Sequence, residues 1–187
     1  AQPTFLVTDT QGDSQGILAN QAVTDDTRPT FTGTGYPGAD IAIVDASGNI
    51  IATTVVDANG QWAAQLAAQS AGSHTYMVVQ ESNGSTTSAG SITLTIVTAK
   101  ASLSIDTMAG DNVLNAAEAG SDVTLSGKSE NLAAGTTVTV SLNGSSWQTT
   151  VGADGSWSVQ VPAADAQALA DGVHTVQVSG VDRAGNN

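Results

Sequence analysis

The chain has 187 residues, of which 40% are hydrophobic, 4% aromatic and 11% charged, a length that fits one large domain or two small ones. Four Lys and Arg stand against 17 Asp and Glu, for a formal charge of −13, which argues against a surface built to neutralise nucleic-acid phosphates or anionic lipid. With no Cys, disulfides, thiolate nucleophiles and Cys-ligated zinc are excluded, so any metal must be held by oxygen.

The first residues, Ala1-Gln2-Pro3-Thr4, lack the basic, apolar, small-residue layout of a signal peptide, and no run approaches the roughly 20 apolar residues of a membrane span. The expectation is a soluble chain whose export signal, if any, lies elsewhere. From there onward apolar residues alternate, as in Asp40-Ile41-Ala42-Ile43-Val44, Thr93-Leu94-Thr95-Ile96-Val97 and Thr137-Val138-Thr139-Val140. Period two means strands with one buried face. Strands are predicted at 4–8, 29–34, 39–45, 49–56, 61–66, 73–80 and 88–97, then at 101–106, 122–127, 134–142, 146–151, 156–161 and 173–181. Asn59-Gly60, Asn83-Gly84, Asn143-Gly144 and Asp154-Gly155 mark tight turns between them. Ala163 to Ala170 is Ala-rich and predicts a short helical connector.

The two strand series are copies of one plan. Asp57-Ala58-Asn59-Gly60-Gln61-Trp62 returns as Gly152-Ala153-Asp154-Gly155-Ser156-Trp157, and Ala71-Gly72-Ser73-His74-Thr75 as Asp171-Gly172-Val173-His174-Thr175. The separations, 157 − 62 = 95 and 174 − 74 = 100, are those of a small β-sandwich. The prediction is an all-β protein of two tandem sandwiches, residues 1–98 and 99–187, with the second one strand short. The link Thr98-Ala99-Lys100 reaches only about 10 Å when extended, so the copies are expected to lie end to end.

Several segments resemble a known family. Thr24-Asp25-Asp26-Thr27-Arg28-Pro29-Thr30-Phe31-Thr32-Gly33-Thr34-Gly35, the Asn59-Gly60-Gln61-Trp62 turn, Asp111-Asn112-Val113-Leu114-Asn115-Ala116-Ala117-Glu118 and Asp182-Arg183-Ala184-Gly185-Asn186 are similar to tandem bacterial immunoglobulin-like repeats. Such repeats form the stalks of giant type I-secreted adhesins and biofilm-associated proteins of Gram-negative bacteria. The resemblance implies immunoglobulin-like sandwiches in an extracellular, cell-surface spacer stiffened by Ca2+, with neighbouring repeats of the same chain as partners and any host or bacterial ligand at a distant tip.

The acids give a bottom-up route to the same cation. Successive loops of a sandwich alternate between its poles; in end-to-end copies this places Asp9, Asp13, Asp25 and Asp26 toward Asp182 and Asn186, with Glu130 and Asp154 in other loops of the receiving pole. Converging carboxylates repel unless a cation intervenes, and calcium accepts six to eight oxygens in flexible geometry. Asp9, Asp13, Asp26, Asp182 and Asn186 are the candidate ligands of this cluster. Asp106-(x4)-Asp111-(x3)-Asn115-(x2)-Glu118 is the second candidate cluster. Neither has the register of an EF-hand.

Enzymatic activity is not expected. His74 and His174 recur at one repeat position, which favours packing or hydrogen bonding over catalysis. Trp62 and Trp157 also recur, which favours core packing; Trp147 has no counterpart and is the aromatic to watch as a surface contact. Two other readings stand beside the stalk: a glycan- or receptor-binding module, and homotypic association between cells by strand addition at an open sheet edge.

Overall fold

A computed structural model describes residues 2–187, which divide into two compact units: unit 1 holds residues up to Thr98 together with Ala184–Asn186, and unit 2 holds Ala99–Arg183 with Asn187. Unit 1 contains β1 (Thr4–Asp9), β2 (Gly16–Leu18), β3 (Ala22–Thr24), β4 (Thr30–Thr34), β5 (Asp40–Val44), β6 (Ile50–Val55), β7 (Gln61–Gln65), β8 (Gly72–Ser82) and β9 (Ser85–Ile96). One sheet runs β2-β1-β4-β7 and the other β3-β9-β8-β5-β6. All pairings are antiparallel except β3 with β9, where Val23 lies opposite Thr95 in parallel register. The chain therefore leaves the first sheet after β2, joins the second at β3 and returns to the first at β4; Asp13 lies in the β1–β2 loop, and Asp25 and Asp26 lie in the loop that returns from β3 to β4.

Alternation explains the core of unit 1. Val7 and Phe31 from one sheet meet Ile41, Ile43, Tyr76, Val78 and Leu94 from the other, all essentially solvent-free. The Phe31 ring is stacked near Phe5 at 6.1 Å and stands edge-on to Tyr76 at 5.6 Å, both favoured aromatic geometries. Tyr76 donates its hydroxyl to Gln69 Oε1 at 3.1 Å. Burial pushes that phenol up to about 12, so it stays protonated and able to donate at physiological pH.

Unit 2 contains β10 (Ser102–Leu103), β11 (Val123–Glu130), β12 (Thr137–Leu142), β13 (Ser145–Thr150), β14 (Ser156–Val161), α1 (Ala163–Gln167) and β15 (Val176–Gly180). Its sheets run β10-β11-β14 and β13-β12-β15. Val123, Leu125, Val138, Val140, Trp157 and Val161 make the core, with Trp147 packed against them. Trp147, the aromatic to watch as a surface contact, is thus partly buried against this core. Among the described residues no helix is long and apolar enough to cross a membrane.

The expected strands are found, with boundaries shifted by up to three residues in most and larger departures at the following places. β2 and β3 add two three-residue strands between the first and second predicted ones, too short to carry a period-two signal. The first strand of unit 2 contracts from 101–106 to Ser102–Leu103, although Ser104 and Asp106 still donate backbone N–H groups to Lys128 and Ser126. The strand expected at 173–181 narrows to Val176–Gly180.

One device is repeated in both units. Gly33 lies opposite Trp62 across β4 and β7, and Gly127 opposite Trp157 across β11 and β14. A Cβ on Gly33 would stand 1.9 Å from the Thr4 carbonyl oxygen and 2.8 Å from the Trp62 ring; on Gly127 it would stand 1.8 Å from Ser104 O and 2.7 Å from the Trp157 ring. Only a bare backbone lets the indole and the neighbouring strand approach this closely. The copies differ in one respect: Trp62 Nε1 donates to Thr34 O at 3.3 Å, whereas Trp157 Nε1 is buried with no hydrogen-bond partner among the described residues.

Candidate metal centre

The acidic loops of unit 1 are built by side chains turned back onto their own backbone. Asp9, at the inward-facing end of β1, is 3% exposed. Its Oδ1 accepts the Gln11 amide at 2.8 Å and its Oδ2 accepts the Thr24 hydroxyl. Thr24 Oγ1 in turn accepts the Asp26 amide at 3.0 Å. Asp26, with no exposed surface, takes Arg28 N on Oδ1 at 2.7 Å and Thr10 N and Oγ1 on Oδ2 at 2.9 and 3.1 Å. These bonds close the crossing between the two sheets, and they give Asp9 and Asp26 a structural role whatever else binds there.

Burial lifts the Asp9 carboxyl above the ordinary carboxylate value; the Thr24 and Gln11 hydrogen bonds oppose this, and the nearby charges of Asp25 and Asp26 add to it. Three carboxylates are therefore close enough to repel, and one of them is largely desolvated.

Asp25 differs from its neighbours. Its Oδ2 accepts Asn186 Nδ2 at 3.0 Å, but its Oδ1 is buried and has no hydrogen-bond partner among the described residues. Asn186 Oδ1 accepts the amides of Asp13 at 2.6 Å and Ser14 at 3.3 Å. Gly12, in the left-handed region at φ +65°, sits at the centre: a Cβ there would lie 2.3 Å from Asn186 Oδ1 and 2.4 Å from Asp25 Oδ2. Asp9, Asp13, Asp25, Asp26 and Asn186 are thus gathered on the loops of unit 1. Asp182 lies after β15 in unit 2.

The second candidate cluster has a different local structure. Asn115 Oδ1 accepts the amides of Ala117 and Glu118 at 3.0 and 3.1 Å, while Glu118 Oε2 accepts the Asn115 amide at 3.0 Å. This is the reciprocal arrangement of a capping box, here closing a turn. Asp111 Oδ1 accepts Val113 N at 2.9 Å, and Asp106 Oδ2 accepts the Ser126 hydroxyl at 3.1 Å. The spacing that suggests oxygen ligands also serves turn formation.

Among the described residues no three Asp, Glu or His side chains are gathered closely enough to form a ready-made metal cage. In unit 1 the donor set nonetheless fits a hard cation: a buried Asp25 oxygen that lacks a donor among the described residues, the Asp9 carboxylate raised by burial and by its charged neighbours, and an amide oxygen from Asn186. Sequence reasoning placed Asp25 in this cluster but not among its ligands; its adjacency to Asp26 was the available signal. Thr24 and Gly12 were not anticipated, since neither a hydroxyl brace nor a crowded glycine leaves a charge pattern.

The histidines have matching roles. His74 Nε2 lies 2.8 Å from Ser70 O and His174 Nε2 lies 2.7 Å from Ala170 O, each holding the turn that precedes its strand. His74 also stacks on Tyr76 at 6.0 Å.

Comparison with known families and structures matches residues 17–96 to the bacterial Ig domain and residues 99–187 to the bacterial Ig-like domain. No curated protein sequence matches the chain. Among solved structures it is similar to part of a 1.5-MDa bacterial ice-binding adhesin studied for host cell surface retention, at 25% identity and TM-score 0.43, over 100% of this chain and 61% of that one. It is similar to a Ca2+-stabilized adhesin that helps an Antarctic bacterium reach out and bind ice, at 27% identity and TM-score 0.42, over 99% and 46%. A tetra-tandem repeat from the extending region of a large adhesion protein gives 25% identity and TM-score 0.41, over 99% and 54%. The chain thus spans between 46% and 61% of these structures.

Proposed function

The chain belongs to the bacterial immunoglobulin-like domains, one in each half, and we propose that it is a calcium-stabilised stalk segment of a bacterial cell-surface adhesin. Two sandwiches whose histidines and tryptophans are committed to turns and cores offer a scaffold rather than a reaction centre. A stalk acts through its own stiffness and length, with neighbouring repeats as its partners, at the outer surface of a cell in adhesion or biofilm formation, after export through a type I route.

The observation that carries the calcium reading is the buried, unpartnered Oδ1 of Asp25 beside the desolvated Asp9. A buried carboxylate oxygen without a donor costs about 1–3 kcal/mol or more, and a divalent cation removes that cost together with the repulsion among its neighbours. Asp25, Asp9, Asp13 and Asn186 are the residues we assign to hold it. Asp26 and Thr24 position the loops through their hydrogen bonds. Extracellular calcium modules bind at about 10⁻⁴–10⁻³ M, so such a site is empty in cytosol and fills outside the cell.

Thermal unfolding tests this. At calcium concentrations of 10 to 100 times Kd, linkage stabilises unit 1 by about 1.4–2.7 kcal/mol, a rise on the order of 10 °C for a domain of this size. Chelator should abolish the rise, and Mg2+, with its strict octahedral demand, should not replace calcium. Identical melting curves in calcium and in chelator would remove the proposal.

A further inference from the structure

The shared strand plan gives each outward position of one unit a counterpart in the other. On the face of β6-β5-β8 turned away from the core, Val44 lies opposite Ile50 and Met77, and Ala42 opposite Thr53 and Val79. The inward residues Ile41 and Ile43 of β5 correspond to Val138 and Val140 of β12, all without exposed surface, which fixes the match of the outward residues. In unit 2, Ser141 lies opposite Ser146 and Gln177, and Thr139 opposite Gln148 and Ser179. Val44, Ile50, Met77, Ala42 and Val79 thus stand where unit 2 has only Ser, Thr and Gln.

Ile50 reaches this face through a β-bulge. Val44 pairs with Ile50 and Ile43 with Ala52, so Ile51 is the extra residue and packs against the core while Ile50 faces out. Ile50 is 65% exposed and Met77 43%; Val55, at the next outward position of β6, is 56% exposed. Unit 2 keeps the same plan with polar residues, so the fold itself does not call for these apolar ones. Apolar side chains gathered on an exposed face mark a contact surface.

Charge identifies the occupant. A chain of formal charge −13 recruits basic partners and holds copies of itself apart. Ala42, Val44, Ile50, Thr53, Met77 and Val79 carry no charge, so they offer a basic partner nothing. A partner with the same acidic field must make contact where charge is absent, and a second copy of the chain necessarily shares that field. We infer that unit 1 associates with unit 1 of a second copy by packing these outer sheet faces together in an isologous contact.

The bordering acids set its direction. Asp40 and Glu81 lie opposite one another at the Val55 end. Asp45 follows Val44 at the other end, already held by the Ser47 and Asn49 amides and the Asn49 side chain. Parallel packing would bring the two Asp40 and Glu81 pairs together, whereas antiparallel packing sets each pair against Val44, Met77 and Ile50 of the other copy. Three strands about 4.8 Å apart and about 14 Å of strand length give on the order of 200 Å² per copy, far below the roughly 800 Å² of a stable complex. The contact is therefore weak between free chains and strong only where many copies are tethered together. Antiparallel contact would join stalks from opposed surfaces; only this consequence rests on the stalk reading.

The test follows amide NMR shifts of the isotope-labelled full chain from about 0.05 to 1 mM, a range suited to a Kd near 1 mM. Shifts should appear at β5, β6 and β8, and should grow in about 0.5 M salt, which screens the repulsion. The triple variant Val44→Ser, Ile50→Ser, Met77→Gln, which installs the residues of unit 2, should reduce them about tenfold. Ile50→Glu alone, at a mostly exposed position, should act likewise by setting a charge near Asp40 of the other copy. Because the chain has no Cys, Glu81→Cys takes a single nitroxide label; mixed with the labelled-isotope chain, it should broaden Val44, Ile50 and Met77 more than Asp40 and Val55. The reverse broadening would overturn the antiparallel direction. Shifts that are absent at both salt concentrations, map to other residues or survive both variants would overturn the contact.

Discussion

The Asp9 carboxylate receives the Gln11 amide and the Thr24 hydroxyl, while Asp25 Oδ1 receives no hydrogen bond among the described residues. Asp9 braces the loops as well as being assigned to the cation, whereas Asp25 Oδ1 is assigned to the cation alone, and replacing each by Asn separates the two roles. Burial raises the Asp9 carboxyl, so its contribution to stability is complete below the ordinary carboxylate range and is lost as pH rises through the raised value. Without calcium, Asp9→Asn should therefore melt above wild type at neutral pH, and the gap should close as pH falls below about 4. Taking the difference between the two proteins cancels the opposite pH dependence of Asp45, whose carboxyl is lowered by the Asn49 side chain and amide. A gap that stays constant with pH would show that Asp9 carries no desolvation cost. Asp25→Asn should remove most of the calcium response.

At the level of elements, Gly33 and Gly127 admit the paired tryptophans and neighbouring strands so closely that Ala at either position must push β1 or the Ser104 segment away. Overpacking of this kind costs about 1–3 kcal/mol. Gly127→Ala should lower the melting temperature of unit 2 by several degrees with little effect on unit 1, and Gly33→Ala should do the reverse. Equal effects on both units, or none, would contradict the packing described. These glycines were legible in principle: 127 − 33 = 94 is within one residue of the tryptophan spacing of 95. The longer strands were readable because one buried face imposes period two over five or more residues, as in β5 and β12. β2 and β3 escaped because three residues cannot display a period, and because β3 is fixed by its partner β9 rather than by its own composition. The acidic clusters were readable as charge but not as geometry. Asn115 and Glu118 have the spacing of ligands and also that of a capping box, a distinction that only the hydrogen bonds draw.

For the whole molecule, the formal charge of −13 makes electrostatic repulsion a general burden, which any salt relieves in part. Specific binding is separable from screening, since at about 1 M sodium chloride the Debye length is near 3 Å and site occupancy needs only millimolar calcium. Trp62 reports unit 1, and Trp147 and Trp157 report unit 2. Calcium should move the transition seen by Trp62 beyond the shift given by sodium chloride of equal ionic strength, and a response no larger than that of sodium would reduce the effect to screening. The most direct measurement is anomalous scattering from crystals grown in millimolar calcium. The account predicts one peak within bonding reach of Asp25 Oδ1, shared with Asp9, Asp13 or Asn186, and no peak in Asp25→Asn crystals. Well-ordered loops around Asp25 with no anomalous density, in crystals bathed in calcium, would contradict it.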